Sequence, residues 1–173
     1  DVTAVDLTGT NLAVSGGVLE ADNIDLTQPS SINHTDGIIR VDTGTLTTAN
    51  GDLDVNDATG NPTIELTSGA TTTVGSVNVG TASNGTVNIL SGSTLDAATA
   101  TVGTTGNGTL TTSGAGSTTN ITGNLHVGTT GSVNVETGGS LDVGSVSMNS
   151  GAALTMAGGT LASAGAFFDL PDF

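Results

Sequence analysis

Short apolar-polar-apolar triplets recur along the chain at nearly constant spacing. The clearest first triplets give start-to-start spacings of 24, 23, 25 and 21 residues and begin at Leu53, Val77, Ala100, Leu125 and Val146. A period of about 23 residues is typical of a solenoid in which each repeat forms one coil. In most triplets the outer residues are apolar and the central one is polar, which predicts a strand with one buried and one solvated face.

Two further triplets lie within each period. Second triplets begin at Ile64, Val87, Leu110, Val133 and Leu154, and third triplets begin at Thr71, Leu95, Thr119, Leu141 and Leu161. Helical spacing of apolar residues is nearly absent, and Gly, Thr, Ser and Asn fill the segments between triplets. The expected fold is all-β: a right-handed parallel β-helix, or β-solenoid, of about seven triangular coils with three short strands each.

Glycine and asparagine mark the expected corners between these strands. They occur at Asn84-Gly85, within 106–108 and 114–116, and at Gly138-Gly139. Because both residue types adopt positive φ at little cost, we expect the backbone to turn at these positions through left-handed conformations.

A single domain accounts for the chain, but its two ends differ from its middle. Residues 1–52 predict two irregular coils with a loop insertion, residues 53–166 predict regular coils, and residues 167–173 form a Phe-rich tail. Segment 28–31 contains Pro29, which cannot donate to a central ladder, and we expect a loop there. Segment 45–51 is interpreted as a second loop, and His34 falls in the extra loop of the second coil.

The charge balance is strongly one-sided, with one Arg, no Lys, 16 acidic residues and a net charge of -15. Binding to a phosphate backbone needs several cations, so nucleic acid is not an expected partner. No stretch approaches the roughly 18 apolar residues of a membrane span, and the absence of Cys leaves no disulfide or thiolate metal site. The chain begins with Asp1, and we expect an extracellular or cell-surface protein exported with its leader removed.

Two runs carry a resemblance to a known family: "ATVGTTGNGTL" at residues 100–110 and "LHVGTTGSVNV" at residues 125–135. Their pattern of hydrophobic-x-Val-Gly-x-x-Gly-x-hydrophobic resembles the passenger repeats of bacterial autotransporter and adhesin-type right-handed β-helices. The resemblance covers about residues 53 to 163 and implies a stalk, adhesin or matrix role at the cell surface. It is specific for architecture and weak for activity.

All three phenylalanines lie in the last seven residues. One interpretation is a cap over the open edge of the last coil, and the other is a peptide that docks on a neighbouring subunit. The first coil begins within a few residues of Asp1 without a preceding amphipathic helix, so we expect solenoids to stack head to tail into a homopolymer. The candidate interface residues are Val5, Leu7, Leu12, Val14, Phe167, Phe168, Leu170 and Phe173.

The expected function is therefore that of a structural subunit of an extracellular filament or surface fibre. The alternative is a stalk segment of a larger secreted adhesin, and in both cases a cell-surface or matrix polysaccharide is a further partner to consider. A carbohydrate-active β-helix enzyme is less expected, because Arg40 is the sole cation and the two histidines, His34 and His126, lie in different coils. Ice binding is also less expected, because the central outward residues do not form a Thr array.

No catalytic residue or cofactor is expected, but one cluster is a weak candidate for calcium. Hard oxygen ligands at high density suit calcium. The segment "DLDVNDATGN" supplies them from Asp52, Asp54, Asn56, Asp57 and Asn61. An alternation of outward polar residues with inward Leu53 and Val55 explains the first three equally well.

Overall fold

The fold is all-β in a computed structural model that describes residues 4–6, 11–27, 31–48, 51–56, 59–165 and 168–169. Strands hold 71% of these residues and no helix occurs among them, as the triplet pattern predicts. The strands are β1 Ala4–Asp6, β2 Asn11–Ala21, β3 Asn23–Leu26, β4 Ser31–Asp42, β5 Thr45–Thr48, β6 Asp52–Val55, β7 Thr63–Thr67, β8 Thr71–Val79, β9 Gly85–Leu90, β10 Thr94–Val102, β11 Gly108–Ser113, β12 Thr118–Val127, β13 Gly131–Glu136, β14 Ser140–Met148, β15 Ala153–Ala157, β16 Thr160–Ser163 and β17 Phe168–Asp169.

The strands stack in two parallel sheets that receive strands from every turn. The seven-stranded sheet has the order β2-β4-β7-β9-β11-β13-β15, and the ten-stranded sheet follows β1-β3-β5-β8-β10-β12-β14-β16, with β6 on β8 and β17 on β14. The expected β-solenoid is confirmed, and its seven stacked rungs on one sheet correspond to about six turns where about seven coils were expected. The right-handed sense stays a prediction.

The ten-stranded sheet covers two sides of the solenoid, because its long strands bend at a corner. In β8 the inward residues are Thr72 and Val74 and then Val77 and Val79, so the alternation shifts by one residue at the corner. The same shift separates Ala97 from Ala100 in β10. The expectation of three separate short strands per coil is therefore wrong here: the third strand of one coil and the first of the next form one continuous strand.

Three faces follow from this path, and their names are kept below. The first face holds β6, β17 and the second halves of the long strands, with rungs at 52–55, 76–79, 99–102, 124–127, 145–148 and 168–169. The second face is the seven-stranded sheet. The third face holds β1, β3, β5, β16 and the first halves of the long strands, with rungs at 4–6, 23–26, 45–48, 71–74, 94–97, 118–121, 140–143 and 160–163.

Rows of stacked aliphatic side chains fill the interior between the three faces. One row on the second face continues through seven rungs, with Leu19, Ile39, Ile64, Val87, Leu110, Val133 and Leu154 in register. Leu110 and Val87 in its middle are fully buried. Burial of one such side chain stabilises the fold by about 1.5–3 kcal/mol. Each rung of this row therefore contributes to the stability of the core.

A few threonines also point inward and bond within the interior. The Thr72 hydroxyl donates to the Leu46 carbonyl at 2.8 Å, and the hydroxyls of Thr112 and Thr119 bond to each other at 2.6 Å. The predicted triplet 71–73 placed Thr72 on the outer surface, and this placement is wrong because the inward residues of that rung are Thr72 and Val74. These hydrogen bonds offset part of the cost of burying the hydroxyl groups.

Two expectations about the irregular second coil are corrected. Segment 45–51 was expected to be a loop, but β5 pairs with both β3 and β8, and its Leu46 is buried. His34 lies in strand β4 rather than in a loop, and its Nε2 is 3.0 Å from the Gly37 carbonyl oxygen. Residues 28–30 and 49–50 lie outside the described residues, and the domain boundaries stay a prediction.

The corner glycines divide into two groups with different physical reasons. Gly114 and Gly138 have φ values of 93° and 81°, as expected for left-handed corners. Gly85 and Gly108 do not have positive φ, so that expectation is wrong for them. They begin strands of the second face, where a Cβ on Gly108 would lie 2.3 Å from the Val79 carbonyl oxygen of the preceding coil. These positions require glycine because two backbone segments approach closely.

Candidate interaction surfaces

A ladder of charged and polar groups runs up the N-terminal half of the second face. Arg40 Nη1 lies 2.7 Å from Glu20 Oε2 on one adjacent rung, and Nη2 lies 2.8 Å from Glu65 Oε2 on the other. Asn88 Nδ2 donates to Glu65 Oε1 at 3.3 Å, one rung further along. The hydrogen bonds to Glu20 and then Glu65 raise the pKa of the guanidinium above its ordinary value. The sole cation of the chain therefore joins three rungs and is already paired on both sides.

The calcium candidate residues form separate hydrogen bonds to the next coil and do not converge on one point. Ser76 Oγ donates to Asp52 Oδ1 and Asn78 Nδ2 donates to Asp54 Oδ1, both at 2.7 Å. The Asn56 side-chain oxygen accepts from the Thr81 amide.

The two remaining candidate residues lie beyond this strand. The Asn61 amide donates to Asp36 Oδ1 at 3.4 Å, whereas Asp57 lies outside the described residues. No group of three or more His, Cys, Asp or Glu side chains suited to a metal occurs within the described part of the chain. Calcium binding stays a prediction.

A row of hydroxyl groups on the third face escaped the sequence analysis. In register on six successive rungs lie Thr45, Thr71, Thr94, Thr118, Ser140 and Thr160. The outward row beside it is mixed, with Thr47, Thr73, Asp96, Asn120, Asp142 and Ala162. Each of these hydroxyl residues begins its strand, so a comparison of central triplet residues does not reveal the row. The hydroxyl array is one row wide, so ice binding stays less expected than a structural role.

Acidic groups of the third face have local partners within the same coil or the next. Asn120 Nδ2 donates to Asp96 Oδ1 at 2.7 Å. The amide and hydroxyl of Thr27 both donate to Asp25 Oδ1, at 2.8 and 2.6 Å, and these hydrogen bonds lower the pKa of that carboxyl. These two carboxylates are therefore bonded by neutral side-chain and backbone donors and not by cations.

The histidines take separate structural positions. His126 Nδ1 lies 3.0 Å from Ser147 Oγ on the neighbouring rung of the first face. His34 Nε2 lies close to the Gly37 carbonyl oxygen within the same strand, β4. They belong to strands β12 and β4, which do not pair with each other. An absence of enzymatic activity stays a prediction.

Both outer strands of the second face expose apolar side chains. Val18 on β2 is 54% exposed and Met156 on β15 is 41% exposed, and these are the exposed large hydrophobic side chains of the described residues. Leu19 and Leu154 beside them are only partly buried. Met156 lies in an inward row whose next member, Val135, is fully buried, so its exposure results from the missing next rung. Val18 instead lies in an outward row with Ile38 and Thr63. Sequence reasoning named neither Val18 nor Met156.

Four of the eight predicted interface residues lie within the described residues. Val5 belongs to β1, the outermost strand of the third face, and Phe168 of β17 pairs with Val146 on the first face. Leu12 is partly buried against the core and Val14 is buried. Leu7, Phe167, Leu170 and Phe173 lie outside the described residues.

Comparisons with known proteins give no relative for this chain. No protein-family model matches it, and no curated protein or solved structure gives a match. Among the described residues there is also no helix of the length and apolar character needed to cross a membrane. Function therefore has to be argued from the solenoid and its surfaces.

Proposed function

We propose that the chain is the structural subunit of an extracellular filament or surface fibre that grows by head-to-tail stacking of β-solenoids. The observation that carries this proposal is that both ends of the stack are open among the described residues, with β1 and β16 as the outermost strands of the third face and β2 and β15 as those of the second face. An outer strand presents unpaired backbone groups and is a template for another strand. Because the two ends differ, each contact leaves a free end, and such heterologous contacts form filaments.

The interior rows give the stack a continuous core. Partly buried Leu161 ends the inward row of the third face, so another solenoid stacked on β16 would cover it. Full burial of such a side chain contributes about 1.5–3 kcal/mol, and several end residues share this gain. Parallel ladders and stacked aliphatic side chains make a rod whose role is mechanical.

The acidic surface predicts how assembly depends on salt. The net charge is -15, so neighbouring copies repel each other at low ionic strength. Screening shortens the range of this repulsion to about 10 Å at 0.1 M salt. We expect longer assemblies at 0.15 M salt than at 0.01 M salt, measured by sedimentation velocity. Assemblies that shorten as salt is added would contradict end contacts based on apolar burial and backbone ladders.

The C-terminal tail contributes to the same contact in this proposal. Deletion of residues 167–173 removes all three Phe side chains together with strand β17, which pairs with β14 at Val146. We expect the truncated chain to stay folded by circular dichroism and to sediment as a monomer under conditions in which the full chain polymerises. If the truncated chain still forms fibres, the tail has no role in the contact.

The second candidate is a stalk segment of a larger secreted adhesin. It is favoured by the regular geometry of the outer rungs, because β15 and β16 continue the register of the rungs below them without distortion. Such edges suit covalent continuation of the solenoid as well as a second copy. Uniform monomers at high protein concentration would favour the stalk, and concentration-dependent polymers favour the filament. Binding to a cell-surface polysaccharide would be compatible with either.

A further inference from the structure

We propose that the joint between two copies forms on the third face, where β16 of one copy pairs in parallel with β1 of the next. This inference rests on the proposed function and specifies which strands make the contact. β1 and β16 are the outermost strands of that face among the described residues. The occupant of each open edge is therefore a second copy of this chain.

Two joints are conceivable, β15 with β2 of the next copy or β16 with β1 of the next copy, and both cannot form at once because the third face extends one rung further than the second. On the chain path, β16 follows β15 in the same turn, and β3 follows β2 in the same turn, with β1 one rung before β3. If β15 paired directly with β2 of the next copy, β16 and the next β1 would have to occupy the same rung. Pairing of β16 with β1 avoids this overlap and leaves one empty rung between β15 and the next β2.

The third-face joint continues the existing rows of side chains. The inward row reads Ile24, Leu46, Thr72, Leu95, Thr119, Leu141 and Leu161 in register, and Val5 of β1 is the register partner of Ile24. Stacking the next copy in the same register places its Val5 on Leu161, which is only partly buried at the open end. An apolar row therefore continues across the joint.

The outward row avoids contact between like charges at the joint. Asp142 and Ala162 are register partners on the last two rungs, and the same row begins with Asp6. Ala162 therefore separates Asp142 from Asp6 of the next copy by two rung spacings, about 9.6 Å. This separation is close to the screening length of about 10 Å at 0.1 M salt. Asp142 and Asp6 of the next copy are therefore not on adjacent rungs, whereas Asp6 and Asp25 are register partners within each copy.

The test uses cysteine pairs, because the natural chain has no Cys. Asp6→Cys combined with Ala162→Cys places the two sulfurs on directly adjacent rungs, about 4.8 Å apart between Cα atoms, within the range for a disulfide. Val18→Cys combined with Ala153→Cys places them two rungs apart, about 9.6 Å, which a disulfide cannot span. Within one molecule both pairs are more than about 25 Å apart, so only a joint can link them.

Assembled protein is oxidised with copper-phenanthroline and separated on a non-reducing gel. We expect a covalent ladder of multimers from the third-face pair and monomers from the second-face pair. Ala4→Cys with Thr160→Cys, a second pair on the expected rungs, should give the same ladder if the first pair impairs folding. Single-cysteine variants control for random collisions and should give dimers at most.

The outcomes separate this inference from the proposed function. A ladder from the second-face pair, equal ladders from both faces, or no ladder from filaments that electron microscopy shows to be intact would each overturn the third-face joint. Absence of any polymer in the unmodified chain would overturn the proposed function, and the joint with it. A ladder restricted to the third-face pairs supports both.

Discussion

Gly108→Ala tests the idea that close backbone approach fixes the corners of this solenoid. A methyl group at this position would lie 2.3 Å from the Val79 carbonyl oxygen and 2.4 Å from the Gly103 amide nitrogen. Both contacts are backbone atoms, Val79 in the preceding coil and Gly103 in the same corner as Gly108, so no side chain can rotate away. Gly108 is also in register with Gly85 and Gly131, which shows that the approach recurs in successive coils.

The size of the effect follows from two opposing contributions. An added methyl group in a packed site typically lowers the free energy of unfolding by about 1–3 kcal/mol. Because the atoms around Gly108 belong to the backbone and cannot move aside, we expect a loss of about 3 kcal/mol. Replacement of Gly by Ala also lowers the conformational entropy of the unfolded chain, which raises the free energy of unfolding by about 0.4–1 kcal/mol. The free energy of unfolding should therefore fall by about 2–2.5 kcal/mol.

The assay is equilibrium unfolding in urea followed by circular dichroism, with the chain that lacks residues 167–173 as the common background. Gly75→Ala is the matched control, because its φ is not positive and its nearest contact is the Gly51 carbonyl oxygen at 3.3 Å. We expect the control to change stability by less than about 0.5 kcal/mol. Equal effects of the two substitutions would refute the close-approach reasoning.

Two further predictions concern polar contacts between neighbouring strands. Arg40→Gln should reduce the free energy of unfolding by about 2 kcal/mol in 0.05 M salt, because it removes an exposed ion pair with Glu20 and a more buried pair with Glu65. Glu20→Gln removes only the exposed pair and should reduce the free energy of unfolding by less than about 1 kcal/mol in the same urea assay. Thr119→Val should cost about 2 kcal/mol by leaving the buried Thr112 hydroxyl without its partner. The double substitution Thr112→Val with Thr119→Val should be nearly neutral, and additive losses would contradict this interpretation.

The period of the apolar triplets was sufficient to predict the fold. Leu53, Val77, Ala100 and Leu125 mark successive rungs in both the sequence and the structure, because each coil must bury the same inward positions. The corners were less predictable, since a change of direction shifts the alternation by one residue. The sequence does not reveal whether a corner continues a strand, as in β8, or interrupts it.

The candidate surfaces were only partly predictable, for a geometric reason. Exposure of Met156 depends on the position of β15 at the edge of the sheet, whereas its register partner Val135 on the adjacent strand is fully buried. The hydroxyl row from Thr45 to Thr160 requires the register of six rungs and becomes visible only after strands are paired. Segment 45–48 was misassigned because its single buried Leu46 gave too weak an alternating pattern.

The axial repeat of an assembled filament tests the central claim most directly. Third-face joints advance each copy by eight rungs, so electron microscopy of the unmodified chain should show thin unbranched filaments with a subunit rise of about 38 Å. A rise of about 34 Å would correspond to seven rungs and would contradict the joint between β16 and β1. Uniform monomers at high protein concentration would contradict self-stacking itself.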